Sequence, residues 1–195
     1  LFLKIARKNK KLVDLSNNVK HGDSLLSDEN QTKQPFNWEE QFPFKFDIVI
    51  GNPPYVRQER FTDIKPYLEE NYQIYNGVAD LYTYFYERGI SILKEGGHLG
   101  FISSNKFMKA KYGTGLKKLL KNVKLEYMLN FFELPVFEDA STEPIIVILK
   151  NENKPNKKIK VALFDTLEFL DFNKYLKSKS ITVNQEILSD DGWNL

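Results

Sequence analysis

The stretch FDIVIGNPPYV, residues 46–56, constrains the fold more than any other part of the chain. Phe46, Ile48, Val49 and Ile50 make a short apolar run rich in β-branched residues, which reads as an interior strand of a parallel sheet. Asn52, Pro53, Pro54 and Tyr55 then prevent its continuation, because proline fixes its own backbone and holds its predecessor extended. The segment is a strand followed by a stiff, non-helical turn. In open α/β sheets, ligands bind at that end of a strand.

The rest of the chain supplies an alternation of elements around this strand. VADLYTYFYERGISILK (78–94) places Leu81, Phe85, Ile92 and Leu93 at near-helical spacing ahead of Gly96-Gly97, predicting a packed helix with a glycine stop. GHLGFIS (97–103), LEYMLNFF (125–132) and PIIVILK (144–150) read as strands, and residues around 114–122 as a helix. Gly113-Thr114-Gly115 reads as a flexible start to that helix rather than a phosphate loop. Residues 1–6 read as the end of a helix, Val19 as the close of a short strand, 27–43 as a loop or one helical turn, and 56–77 as a mixed, mobile stretch. Such alternation predicts an α/β domain with a mostly parallel sheet and an antiparallel edge formed by the last two strands. The run NENKPNKKIK (151–160) is the best boundary, dividing residues 1–150 from an extension over 151–195.

Composition excludes several classes. The 195-residue chain has no cysteine, which rules out disulfides and cysteine-bound zinc, and two histidines cannot build a histidine-rich metal site, so a metal-free reading follows. No apolar run reaches the ~20 residues needed to span a bilayer, and the start of the chain lacks a secretory cleavage pattern, so no membrane association and a cytoplasmic location are expected. A net charge of +2 is mild, but residues 96–125 contain no Asp or Glu. Lys106, Lys109, Lys111, Lys117, Lys118, Lys121 and Lys124 lie in that window; they read either as phosphate-contacting cations or as a solvated helix face.

The turn carries the chemistry. The Asn52 carboxamide oxygen and the Pro53 carbonyl are two acceptors side by side, which match the two N–H bonds of an amino group. An aromatic amine is a poor nucleophile while its lone pair is delocalised into the ring. Two hydrogen bonds that draw the nitrogen towards tetrahedral geometry free the lone pair to attack a methyl electrophile in line. Tyr55 adds a π face on which a base stacks, and the prolines hold the acceptors without further ordering.

NPPY after FDIVIG resembles the motif of amino-methyltransferases that use S-adenosylmethionine, which act on adenine in DNA, on bases in RNA or on a glutamine amide in release factors. FDIVIGNPPYVRQE with ADLYTYFYERGISILKEGGHLGFISSNKFMKAKYGTGLKKLL is similar to the adenine-specific DNA methyltransferase domain of type IIG restriction-modification enzymes and their phage-defence relatives. The resemblance covers residues 1–150, and weakly the final ITVNQEILSDDGWNL. It implies a Rossmann-like S-adenosylmethionine-dependent fold, a prokaryotic source, and double-stranded DNA with a flipped adenine as substrate. It further implies that Asn52, Pro53 and Pro54 form the amine-gripping turn, that Tyr55 and Phe137 flank the flipped base, and that Asp23 binds the adenine ring of the cofactor. The family's glycine-rich cofactor turn and ribose-binding acid do not appear; Gly22 is the one glycine before residue 46. The expectation is therefore a fold incomplete at its N-terminus, belonging to a longer polypeptide with a cofactor motif and a target-recognition domain. Methylation of RNA or of a protein glutamine, and a non-catalytic DNA-binding fragment, are the alternatives.

Overall fold

The computed structural model describes residues 15–137, 142–153, 158–188 and 192–193. It divides into two compact units, Leu1–Pro43 and Phe44–Leu195. The predicted helix end over residues 1–6 lies outside the described residues. In the first unit no strand forms at Val19; residues 16–18 make a turn, and a single bridge joins Asp23 to Pro35. The predicted helical turn is α1, Trp38–Gln41, capped by the Asn37 side chain, which accepts from the Glu39 and Glu40 N–H groups. Trp38 donates its ring N–H to the Ser24 carbonyl at 3.0 Å and packs edge-on against Phe36.

The second unit is a six-stranded sheet with helices. Its strands are β1 (Phe46–Gly51), β2 (Leu93–Ser104), β3 (Lys124–Asn130), β4 (Pro144–Lys150), β5 (Lys158–Leu163) and β6 (Ser180–Asn184), in the order β1-β2-β4-β3-β5-β6. β1–β2 and β3–β5 pair parallel, whereas β2–β4, β3–β4 and β5–β6 pair antiparallel. The α/β class is as expected, but the β3–β4 hairpin is not at an edge. β4 sits between β2 and β3 because both of its faces are apolar: Ile145, Val147 and Leu149 are fully buried, while Ile146 packs on the opposite face. The predicted boundary at 151–160 spans the connection from β4 and the start of β5, and β5 and β6 belong to the same sheet as β1–β4.

β1 departs from the expected interior strand. Among the described residues it pairs only with β2, which makes it an edge strand, and the face that carries Ile48 and Ile50 is not covered, leaving them 66% and 80% exposed. Val49 points the other way, into the main core.

That core lies between one face of the sheet and helices α3 (Tyr82–Ser91) and α4 (Thr114–Asn122), where Tyr82, Tyr86, Leu116 and Leu120 meet Leu99, Phe101, Val147 and Leu149. A smaller cluster of Leu129, Phe131, Ala162 and Phe164 occupies the other face under α5 (Phe172–Lys179). The helix predicted over 78–94 is shorter than expected. It ends at Ser91, and Gly96-Gly97 lie inside β2, where Gly96 adopts φ +77 and donates its N–H to the Asn151 carbonyl while the Asn151 N–H donates to the Gly97 carbonyl. Residues 56–77 are ordered, with two 3-10 turns and α2 (Lys65–Asn71), which buries Tyr67 and Leu68. No helix of the described residues is long and apolar enough to cross a membrane.

Candidate active site

The parallel pairing of β1 with β2 brings Gly51 beside Phe101, so the Asn-Pro-Pro-Tyr turn leaves the sheet at the same end as the close of β2. Gly51 itself lies against the Phe101 ring. Past the turn, the Leu81 N–H donates to the Val56 carbonyl at 2.9 Å, which ties the outgoing loop to the start of α3. Pro53 is buried and holds the turn down, whereas Asn52 and Pro54 are exposed. Among the described residues, neither the Asn52 carboxamide nor the Pro53 carbonyl has a hydrogen-bond partner. Both acceptors are therefore open.

Tyr55 turns inward from this loop. Its ring meets Phe137 at 6.0 Å between centroids and 75° between planes, and Tyr82 at 6.4 Å and 78°. Rings so nearly perpendicular form two walls of a corner, one offering a face and the other an edge to a flat guest. The Tyr55 hydroxyl is buried without a partner among the described residues, and burial pushes its pKa up to about 12.

A chain of hydrogen bonds backs the corner. Tyr112 donates its hydroxyl hydrogen to Asp80 Oδ2 at 3.3 Å, so in the 3.3 Å contact between Tyr82 and Tyr112 the donor is Tyr82. Tyr82 in turn accepts the Phe107 N–H at 3.2 Å. Burial holds the Asp80 carboxyl above its ordinary range, against the opposing hydrogen bond from Tyr112 and the charge of Lys106. The same desolvation raises Tyr82 well above a free phenol. The wall behind Tyr55 is thus rigid and, apart from Asp80, uncharged.

The structure brings Asn52, Pro53, Pro54, Tyr55 and Phe137 into one neighbourhood. Asp23 belongs to the first unit, where its Oδ1 accepts the Leu25 N–H at 3.1 Å and its second oxygen has no partner among the described residues. The lysines do not share one face. Lys106, Lys109, Lys111 and Lys118 are exposed, but Lys117 is only 2% exposed, because α4 turns it towards the core beside Leu116 and Leu120, and it is not presented to a polyanion. Asp80, Tyr82 and Tyr112 were not singled out from the sequence. The signal available was the spacing of Asp80 and Tyr82 at the head of α3; nothing local pairs them with Tyr112.

Residues 1–137 match the model of a family described as Eco57I restriction-modification methylase. The chain is 31% identical over 198 residues to the type II restriction enzyme and methyltransferase RM.Eco57I of Escherichia coli, which covers 93% of this chain and 19% of that protein. It is 42% identical over 113 residues to the type II methyltransferase M.BstVI of Geobacillus stearothermophilus, covering 56% of this chain and 20% of that one. The chain spans about a fifth of the length of these curated relatives. A solved structure from Listeria monocytogenes, provisionally assigned to the class I S-adenosylmethionine-dependent methyltransferases, superposes with a TM-score of 0.55 at 20% identity, covering 69% of this chain and 42% of that one. The fold is that of this class.

Proposed function

Because the chain belongs to the Eco57I restriction-modification methylase family, we propose that it carries the amine-gripping part of an enzyme that methylates the exocyclic amine of adenine in double-stranded DNA. The observation that carries this reading is the pair of unpartnered acceptors on Asn52 and Pro53 beside the Tyr55–Phe137 corner. An adenine flipped out of the duplex lies with its face on one ring and an edge against the other. Its amino group then donates one hydrogen to Asn52 Oδ1 and one to the Pro53 carbonyl, which localises the nitrogen lone pair for attack. The new N–C bond forms as the donor's S–CH3 bond breaks, and the nitrogen then holds one proton too many; Asn52 Oδ1 keeps its hydrogen bond to that N–H, and because Asn52 is exposed the surplus proton is lost directly to solvent.

S-adenosylmethionine, when bound, supplies the electrophilic methyl group. Asp23 suits it, because the carboxylate is oriented by the Leu25 N–H and keeps one oxygen free to accept from an adenine amine. Restriction-modification or phage defence is the setting this reading implies, with cofactor-binding and target-recognition segments in a longer polypeptide of a prokaryotic cytoplasm, and with Lys106, Lys109, Lys111 and Lys118 as exposed cations near the DNA backbone. The names of the relatives support this reading.

The test is expression of the full-length protein in a methylation-deficient bacterium and sequencing of its DNA for N6-methyladenine. The wild type should mark one sequence, and Asn52→Ala should leave DNA unmarked while still binding it. Absence of N6-methyladenine with the wild type, or full marking by Asn52→Ala, would overturn the reading.

A further inference from the structure

A cavity of about 460 Å³ opens beside the corner without including any residue of the Asn-Pro-Pro-Tyr turn. It lies where β2 and β3 end and β4 begins, and its polar wall is built from three side chains. Asn105 Nδ2 donates to Glu143 Oε2 at 2.9 Å and to Asn130 Oδ1 at 3.3 Å, and Asn130 Oδ1 also accepts the Phe132 N–H at 3.1 Å. Asn130 is 3% exposed and therefore held in one orientation. Those bonds leave Asn130 Nδ2, Glu143 Oε1 and Asn105 Oδ1 without partners among the described residues, one donor and two acceptors at fixed positions.

The rim adds two further features. Phe132 has φ +47, a left-handed backbone that a bulky side chain rarely adopts, and the Asn130 side chain stabilises it there. The outcome is an aromatic ring standing 39% exposed at the mouth. Lys106 and Lys109 also line the cavity; among the described residues neither makes a contact ion pair, although the charge of Lys106 is felt by Asp80. An exposed ring for stacking, a donor and acceptors that read a base edge, and exposed cations for a phosphodiester are together the chemistry of a nucleotide site. Tyr112 lines the same cavity and donates to Asp80 behind Tyr55, so this site and the corner share a wall.

We infer that this cavity binds a second nucleotide of the DNA, near the target adenine but distinct from it, stacked on Phe132 and read by Asn130 and Glu143. The inference rests on the DNA methyltransferase reading above.

The test uses the full-length protein and a duplex carrying the sequence it methylates, with a tetrahydrofuran abasic analogue placed at one position at a time. At one position other than the target adenine, the abasic analogue should weaken wild-type binding about tenfold, within the range of base–aromatic stacking. Phe132→Ala should bind intact DNA about as weakly as the wild type binds that abasic duplex, and should lose no further affinity there. Glu143→Gln, a same-shape change at an exposed residue, should blunt the penalty at the same position, and provides the second arm should Phe132→Ala fail to fold. Equal penalties at every position in the wild type and both variants would overturn the site, as would coupling confined to the target adenine. Failure of the wild type to mark DNA at all is separately visible, and would overturn the methyltransferase reading and the DNA occupant with it.

Discussion

The Tyr55 ring and the Tyr55 hydroxyl have separate roles. The ring forms one wall of the corner with Phe137, while the hydroxyl is buried without a partner among the described residues, an arrangement that costs about 1–3 kcal/mol for a polar group. Tyr55→Phe should therefore keep methyl transfer and leave thermal stability equal or higher. Tyr55→Ala should lose about 1–3 kcal/mol of base stacking, read as a fall in kcat/KM on the DNA substrate. The exposure of Asn52 was legible in the sequence because the two prolines after it dictate the turn that presents it. Lys117 was not, since a lysine among lysines gives no sign of which side of a helix the core will occupy; only the packing of α4 placed it inward.

The glycines expected at the start of α4 do stand there, but for close packing rather than for flexibility. Gly113 and Gly115 are packing residues: a Cβ at Gly113 would stand 2.0 Å from the Phe107 carbonyl oxygen, and one at Gly115 would stand 2.7 Å from that of Ile74. Gly113→Ala should destabilise the protein by about 1–3 kcal/mol or more through overpacking, checked by denaturant unfolding. Thr114→Ala, which loses one exposed hydrogen bond to the Lys111 carbonyl, should cost far less. The helix over 114–122 was legible in the alternation of elements, and β4 in its apolar run PIIVILK. The glycine stop expected after residue 94 was not a stop, because Gly96 serves a bend in β2 that its pairing with the chain after β4 requires.

Across the whole molecule, buried phenols set the alkaline limit of stability. Burial pushes Tyr55, Tyr72, Tyr84 and Tyr112 up to about 12, and raises Tyr82 and Tyr86 as well. Each stays neutral in the folded protein while the unfolded chain ionises near about pH 10, so the contribution is fully present below that value and is lost as pH rises towards about 12. Unfolding midpoints should fall steeply over that window, with the phenolate absorbance of these six tyrosines appearing only as the protein unfolds; phenolate absorbance from more than the remaining four of the ten tyrosines while the protein is still folded would contradict the burial. The last segment joins the same body through Gln185, whose side chain donates to the Leu120, Lys121 and Val123 carbonyls and accepts the Leu125 N–H. A glutamine in ITVNQEIL carries no local mark of that clamp. What the sequence by itself determined is local: a β-branched run, a proline-stiffened turn and two adjacent acceptors, because backbone stereochemistry is decided by immediate neighbours. Only the tertiary structure decided that β4 slots between β2 and β3, that Phe137 meets Tyr55 and that Tyr112 stands behind it. Those contacts follow from strand order and register, which are settled by burying both faces of a sheet at once and are written at no single position of the chain.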